Sequence, residues 1–303
     1  MIWEAGYKTI SFSALSLCGL LILQSCEKEI TVDLPQPEPK IVVEGYISTG
    51  LRPYVMLSKN SPYFAPIDSA ALANSIIYDA LVIVSDGVNT DTLTFQSANE
   101  APLKFAYIKQ NGTVIGQAGK TYSLFVVANG DTVTSTTQII ASPPIDSLHW
   151  VPDAEGDTLG LVWVYFRDPG IDERGYRFMS RRKSNIPKRN DRMFRPNTLL
   201  LNQLFWGQNY SFGVGRPDKY ADGLSEDNYD HADRKRYRIG DTVRIRLCSI
   251  DLPAYYFFNS VEQSMDDNNS PFASPNNVIS NINGGLGCWV GYGVSEKQVV
   301  CFP

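Results

Sequence analysis

Tyr122-Ser123-Leu124-Phe125-Val126-Val127 and Thr132-Val133-Thr134-Ser135-Thr136 flank the dipeptide Asn129-Gly130. Both runs are rich in β-branched and aromatic residues. Asn-Gly supplies the two left-handed positions that a two-residue hairpin turn requires. A chain built around such a signal is β.

Working outward, the same pattern repeats. Toward the N-terminus lie Ile41 to Ile47, Tyr54 to Ser58 after the Thr49-Gly50 turn, and Ala80 to Val84. An Asp86-Gly87 turn and Asp91 to Phe95 follow, then a short run from Lys104 to Ile108. Ser61 to Ser75, rich in Pro, Ala, Ser and Asn, reads as an exposed loop. About seven short strands with turn signals between them, and no helical period, predict an immunoglobulin-like β-sandwich over residues 41–142. Ala141-Ser142-Pro143-Pro144 is its natural end.

Past that point, residues 143–303 predict a second, antiparallel β domain. Ile145 to Val151 and the apolar run Leu159 to Phe166 are strands, and Asp168-Pro169-Gly170 turns the chain back into Gly175 to Ser180. Leu199 to Phe212 has aromatic and turn character, and Gly215 to Asp233 is polar. Tyr237 to Leu247 alternates, with Val243, Ile245 and Leu247 on one face and Arg244 and Arg246 on the other. One helix is expected, 252–267. Asp251 can accept from its free first-turn amides, Pro253 is tolerated there, and Asn268 to Pro271 stops it. Tyr255, Phe258, Glu262 and Met265, with Val261 beside them, recur at helical spacing and read as a core stripe. The glycine-dense tail, Asn276 to Tyr292, permits positive φ and close backbone approach. It lacks the Gly-Lys-Ser/Thr of a phosphate loop and the G-x-G-x-x-G of a dinucleotide fold.

The N-terminus is of a different kind. Lys8 precedes an apolar run, Ile10 to Leu23, that is too short for a comfortable membrane span and right for a secretion signal. Leu23-Gln24-Ser25-Cys26 fits a lipobox, which makes 1–25 a signal peptide and Cys26 the lipidated first residue of the mature chain. Cys18 is a competing site, disfavoured because the apolar run continues past it. Several acyl chains on Cys26 anchor stably, at about 0.8 kcal/mol per buried methylene. Residues 26–40 form a tether in which alternating Pro35, Pro37 and Pro39 favour extended backbone. Glu27 and Glu29, interrupted by Lys28, are similar to export signals that carry lipoproteins to the cell surface.

Composition narrows the function. The net charge of −5 argues against a general nucleic-acid binder, and 43% hydrophobic residues are enough for packed cores. With only His149 and His231, no His-rich zinc site and no H-E-x-x-H motif exist. No G-x-S-x-G elbow is present. The acidic run Asp218, Asp222, Glu226, Asp227, Asp230 and Asp233 fails the EF-hand pattern at Tyr220 and Tyr229 and reads as a solvated loop. No catalytic residue, metal site or cofactor is expected, and the chain reads as non-enzymatic. Cys248, Cys288 and Cys301 allow at most one disulfide, and the sequence leaves the pair open.

Two surface features invite binding. Arg181, Arg182, Lys183, Lys188, Arg189, Arg192 and Arg195 are the largest cluster of one sign. They read as a solvated loop or as a docking loop for an acidic receptor surface or anionic lipopolysaccharide. Phe205, Trp206, Tyr210 and Phe212 read either as core or as an aromatic surface suited to glycan or peptide.

Cys26-Glu27-Lys28-Glu29-Ile30, Val42-Val43-Glu44-Gly45, Pro271 to Val278, Ser280-Asn281-Ile282 and Gly284-Gly285-Leu286-Gly287 together carry a resemblance. Over nearly the whole mature chain, the sequence resembles a family of unknown function among Bacteroidota outer-membrane lipoproteins. Members are often encoded beside TonB-dependent receptors. The resemblance implies a lipid-anchored, cell-surface protein of the outer membrane, with such a receptor as partner and an accessory part in ligand uptake. A stand-alone glycan- or peptide-binding lipoprotein is the alternative. The family offers no catalytic residues to carry over.

Overall fold

A computed structural model describes residues 39–60, 69–97, 105–184, 194–216, 235–267 and 277–302. The expected signal peptide 1–25, Cys26, most of the expected tether 26–40, the acidic run 218–233 and the motif 271–276 lie outside them.

The fold is mainly β, with one long helix toward the C-terminal end, as the sequence predicts. Strands β1 (Ile41–Ser48) and β2 (Tyr54–Lys59) form a first antiparallel pair. A short helix α1 (Ser69–Ser75) follows, where the sequence suggested only loop. Its Ser-Ala-Ala-Leu-Ala run has high intrinsic helix propensity, which the loop reading underweighted. Next come β3 (Leu81–Ser85), β4 (Thr90–Gln96), β5 (Ala106–Ile108), β6 (Thr121–Ala128) and β7 (Asp131–Gln138). β6 and β7 are the Asn129-Gly130 hairpin, and both turn residues have positive φ, 53° and 88°.

The second half contains β8 (Ile145–Pro152), β9 (Leu159–Arg167), β10 (Gly175–Lys183), β11 (Arg195–Leu201) and β12 (Asn209–Val214). The expected strand 237–247 divides at the Gly240-Asp241 turn into β13 (Tyr237–Arg238) and β14 (Thr242–Ile250). Helix α2 (Leu252–Asp267) has the expected bounds. The last strand, β15 (Leu286–Val300), occupies the tail that sequence reading left without a strand.

β15 organises the molecule. Its first half, Leu286 to Tyr292, runs parallel to β1, and its second half, Gly293 to Val300, runs antiparallel to β14. An eleven-stranded sheet results, ordered β11-β10-β14-β15-β1-β2-β5-β4-β3-β6-β7, beside a small sheet in which β9 is flanked by β8 on one edge and by β12 and β13 on the other. Residues 39–303 belong to one compact unit. Strands on either side of Ala141-Ser142-Pro143-Pro144 therefore share a sheet through β15.

Two cores lie along this sheet. Val43 and Ile47 of β1, Val55 of β2, Val82 of β3, and Leu124 and Val126 of β6 pack together around Trp289 of β15. Strands far apart in the sheet order share this core, so the sheet curls over itself. The contact of Thr134 on β7 with Asn283, just ahead of β15, is where the curl closes. In the second core, Phe178, Val243, Ile245 and Leu247 of the large sheet meet Leu148, Trp150, Val162, Val164 and Phe166 of the small one. A third cluster lies under α2, where Ala254 and Phe258 cover Cys248, Cys288, Val290 and Tyr292. Met265 and Glu262, placed by spacing on the core stripe, are exposed, Met265 by 64%.

Glycines explain why β15 escaped the sequence reading. A Cβ on Gly291 would lie 2.9 Å from the Gln138 carbonyl oxygen, and one on Gly293 only 1.7 Å from that of Ile140. The chain leaving β7 crosses against β15 at backbone distance, so these positions exclude a side chain.

Candidate functional site

The basic cluster is not one loop. Arg181, Arg182 and Lys183 end β10, and Arg195 begins β11; Lys188, Arg189 and Arg192 lie outside the described residues. Strand alternation exposes Arg181 and Lys183 and turns Arg182 inward. Arg182 is 2% exposed, and its Nη1 lies 3.5 Å from Oδ2 of fully buried Asp241. Arg182 is thus a structural cation and not a docking residue; period-two geometry allows only alternate members of Arg-Arg-Lys to face water. Outside, Arg244 and Arg246 share Glu296, at 3.2 and 2.9 Å, and Arg246 also stacks on Phe194.

The expected aromatic surface also divides. Phe205 is buried, Tyr210 stacks on it at 4.0 Å between ring centroids, and Phe212 packs edge-on against Phe178 at 4.5 Å. Trp206 remains 42% exposed.

Around Trp206 the structure builds a feature that no motif announced. The loop after β9 and the loop after β11 meet on one buried carboxylate. Asp168 Oδ1 accepts the amides of Gly170 and Gly207, each at 2.9 Å. Its Oδ2 accepts the Tyr176 hydroxyl at 2.7 Å and the Asn202 side-chain amide at 3.3 Å. Gly170 and Gly207 both take positive φ, which lets the two loops touch. Burial pushes the Asp168 carboxyl up, but the Gly207 amide, Tyr176, Gly170 and Asn202 outweigh it and hold it below the usual range. Burial and the carboxylate it bonds push the Tyr176 phenol well up. Asn202 adds bonds to the Arg174 amide and the Asp172 carbonyl.

This double loop presents Ile171, Leu204 and Trp206 to solvent; Ile171 and Leu204 are 78% and 76% exposed. Large apolar side chains on a rigid, exposed tip are the chemistry of an interface anchor. Asp172 and Glu173 give its flank acidic character, with Asp172 paired to Arg174.

A shallow recess of about 240 Å³ crosses the small sheet at the end nearest this tip in sequence. Asp146, Tyr165, Phe166, Asn209, Tyr210 and Ser211 line it. Asp146 is the extra residue of a β-bulge, where pairing slips between Ile145 and Ser147. Bulges re-aim a side chain without breaking a sheet. Lys297 holds the bulge by donating to the carbonyls of Ile145 and Asp146. Tyr165 is 37% exposed and braced edge-on by His149, whose ring nitrogen is 3.1 Å from Ser147 Oγ. Tyr210, paired with Phe166, turns its ring to the opposite face and onto Phe205. The sequence pointed to Tyr210 but not to Asp146, Tyr165 or Asn209, which are far apart in the chain and joined only by strand pairing.

A second recess, about 250 Å³, is lined mainly by Val42, Met56, Leu57, Ile76 and Phe105, with Glu44 at its polar side. Tyr46 donates to Glu44 at 2.8 Å. Cys248, Cys288 and Cys301 are unpaired and buried, and burial pushes each thiol up to about 12. Among the described residues no group of three or more His, Cys, Asp or Glu is placed to hold a metal ion, and no helix is long and apolar enough to cross a membrane.

The family described as Domain of unknown function (DUF4249) matches residues 27–298, and the chain belongs to it. No curated protein matches the chain.

Proposed function

We propose that this member of the DUF4249 family is a lipid-anchored lipoprotein of the outer-membrane surface, a non-enzymatic accessory subunit that helps a TonB-dependent transporter capture its ligand. The lipobox at Cys26 and the proline-rich segment before the β body support tethering. The observation that carries the docking role is the tip of Ile171, Leu204 and Trp206, set rigidly by Asp168. A rigid apolar anchor loses little entropy on binding, and Trp is favoured at the centre of interfaces. The acidic flank suits an apolar pocket with a basic rim better than an anionic lipid surface. The exposed arginines and Lys183 at the ends of β10 and β14 offer a second, salt-sensitive contact.

The test is a gentle-detergent pull-down of tagged full-length protein from its native membrane. The wild type is expected to bring a TonB-dependent barrel at near-equal amount, and Leu204→Glu with Trp206→Ala to lose it at least tenfold. A wild type that brings no barrel overturns the reading.

One observation favours the alternative of a stand-alone binding lipoprotein. The recess around Tyr165 is a ligand-sized feature on the same body and needs no partner to complete it.

A further inference from the structure

We infer that the recess between Asp146, Tyr165 and Asn209 binds one ring of a neutral carbohydrate chain. The inference gives a chemical class to the ligand captured, and rests on the capture reading only for what becomes of the sugar afterwards.

The walls decide the class. A pyranose has two faces of C–H bonds and a rim of hydroxyls. It therefore needs an aromatic surface and, beside it, acceptors and donors in one plane. Tyr165 provides the aromatic surface and is not loose, because His149 braces it edge-on, 5.4 Å between centroids; Tyr210, paired with buried Phe166 and stacked on Phe205, has its ring on the opposite face of the sheet. Asp146 offers a carboxylate that accepts only, Asn209 an amide that both donates and accepts, and Ser211 a hydroxyl. Asp146 and Asn209 stand on opposite edges of β9, so they address hydroxyls on opposite sides of a ring seated on Tyr165.

Their placement follows from the sheet. Tyr165 pairs with Ser211 and Arg167 with Asn209 across β9 and β12, while the bulge brings Asp146 in from β8 on the other edge. Two outer strands thus deliver the polar groups to the Tyr165 ring on the strand between them.

Size and charge exclude the competitors. A volume of about 240 Å³ falls below the roughly 300–1,000 Å³ of sites that engulf a drug-sized molecule, so a single ring enters and the rest of the chain runs over the surface. Among the described residues that line the recess, Asp146 alone is charged, and its negative sign disfavours phosphate or carboxylate ligands. The other recess is mostly apolar and offers a sugar only Glu44 and Ser58.

The experiment uses full-length protein in detergent and a panel of neutral hexasaccharides built from glucose, xylose, mannose, galactose and N-acetylglucosamine. Saturation-transfer NMR reads which rings touch the protein, and calorimetry reads affinity. At least one panel member is expected to bind. Tyr165→Ala should weaken it at least tenfold and Asn209→Ala at least threefold, with circular dichroism unchanged. Tyr78→Ala, at an exposed tyrosine elsewhere, should bind like wild type. A panel without a binder, or binding indifferent to Tyr165→Ala, overturns the inference. Sugar binding without barrel recovery would sink the transporter reading alone; barrel recovery without sugar binding would sink this one alone.

Discussion

The Thr137 hydroxyl, at the end of β7, donates to Asp251 Oδ2 at 2.9 Å and accepts the Gly291 amide of β15 at 2.8 Å. Asp251 is also the cap of α2: its Oδ1 accepts the Ala254 amide at 3.1 Å, and its Oδ2 takes the Gln138 amide as well. A single hydroxyl and a single carboxylate thus join the hairpin that decides the fold class, the long helix and the strand common to both cores.

Thr137→Val keeps the shape and removes both bonds, leaving the buried Gly291 amide unpartnered. It should destabilise the protein by about 2–3 kcal/mol, and Thr137→Ser by under about 1 kcal/mol. Urea unfolding followed by tryptophan fluorescence measures both.

Gly293→Ala should fail to give soluble folded protein, or lower stability by at least about 3 kcal/mol. Its Cβ would meet backbone, which cannot swing aside as a side chain can. Gly50→Ala is the comparison. That turn has open space around it, and only the φ of 77° opposes a side chain, so the loss there should be about 1 kcal/mol.

Arg182→Glu and Arg181→Glu should behave differently although they are neighbours. The first puts a second buried negative charge beside Asp241 and should lower stability by about 3–5 kcal/mol. The second is on the surface and should stay within about 0.5 kcal/mol of wild type. Thermal unfolding separates them, and charge reversal aimed at docking should spare Arg182.

Acid should weaken the fold through three aspartates. The Asn89 and Val88 amides hold Asp86 down, at about 2. Burial pushes Asp91 up, but Lys109, the Val114 amide and Thr113 outweigh it, and Asp168 is lowered in the same way. Folded carboxyls below their unfolded values mean that the unfolded chain takes up protons first as pH falls. Their stabilisation is complete above about pH 4 and is lost as pH falls toward 2. Urea midpoints at pH 7, 4 and 2.5 should decline in that order, and Asp168→Asn should lower the pH 7 value and flatten the decline.

The three body thiols should not react with iodoacetamide at pH 8 in the native state, because burial leaves almost no thiolate. All three should react in urea. Peptide mapping by mass spectrometry distinguishes them from the N-terminal cysteines. Native labelling of Cys248 or Cys288 would mean that α2 opens away from the sheet.

Local chemistry made much of this protein readable in advance. Asn129-Gly130 and Asp86-Gly87 declare their hairpins because few residues tolerate such turns. Val243, Ile245 and Leu247 declare a buried face by their period. Asp251 announces α2 because a helix start needs an acceptor for its free amides. All these signals act over a few residues, which is why the β class, most of the strands and the helix could be read from composition and spacing.

What depended on distant contacts could not be read. β15 read as a glycine-dense tail because Gly291 and Gly293 weaken any strand on their own, and only the Gln138 and Ile140 carbonyls crossing against them make glycine the residue that fits. Arg182 looked like a surface charge until pairing with β14 turned it toward Asp241. Asp168 looked like part of a turn until two loops closed on its carboxylate. Asp146, Tyr165 and Asn209 became neighbours through strand pairing and a bulge. Each of these roles is set by partners tens of residues away, and a side chain's neighbours in sequence carry no record of them.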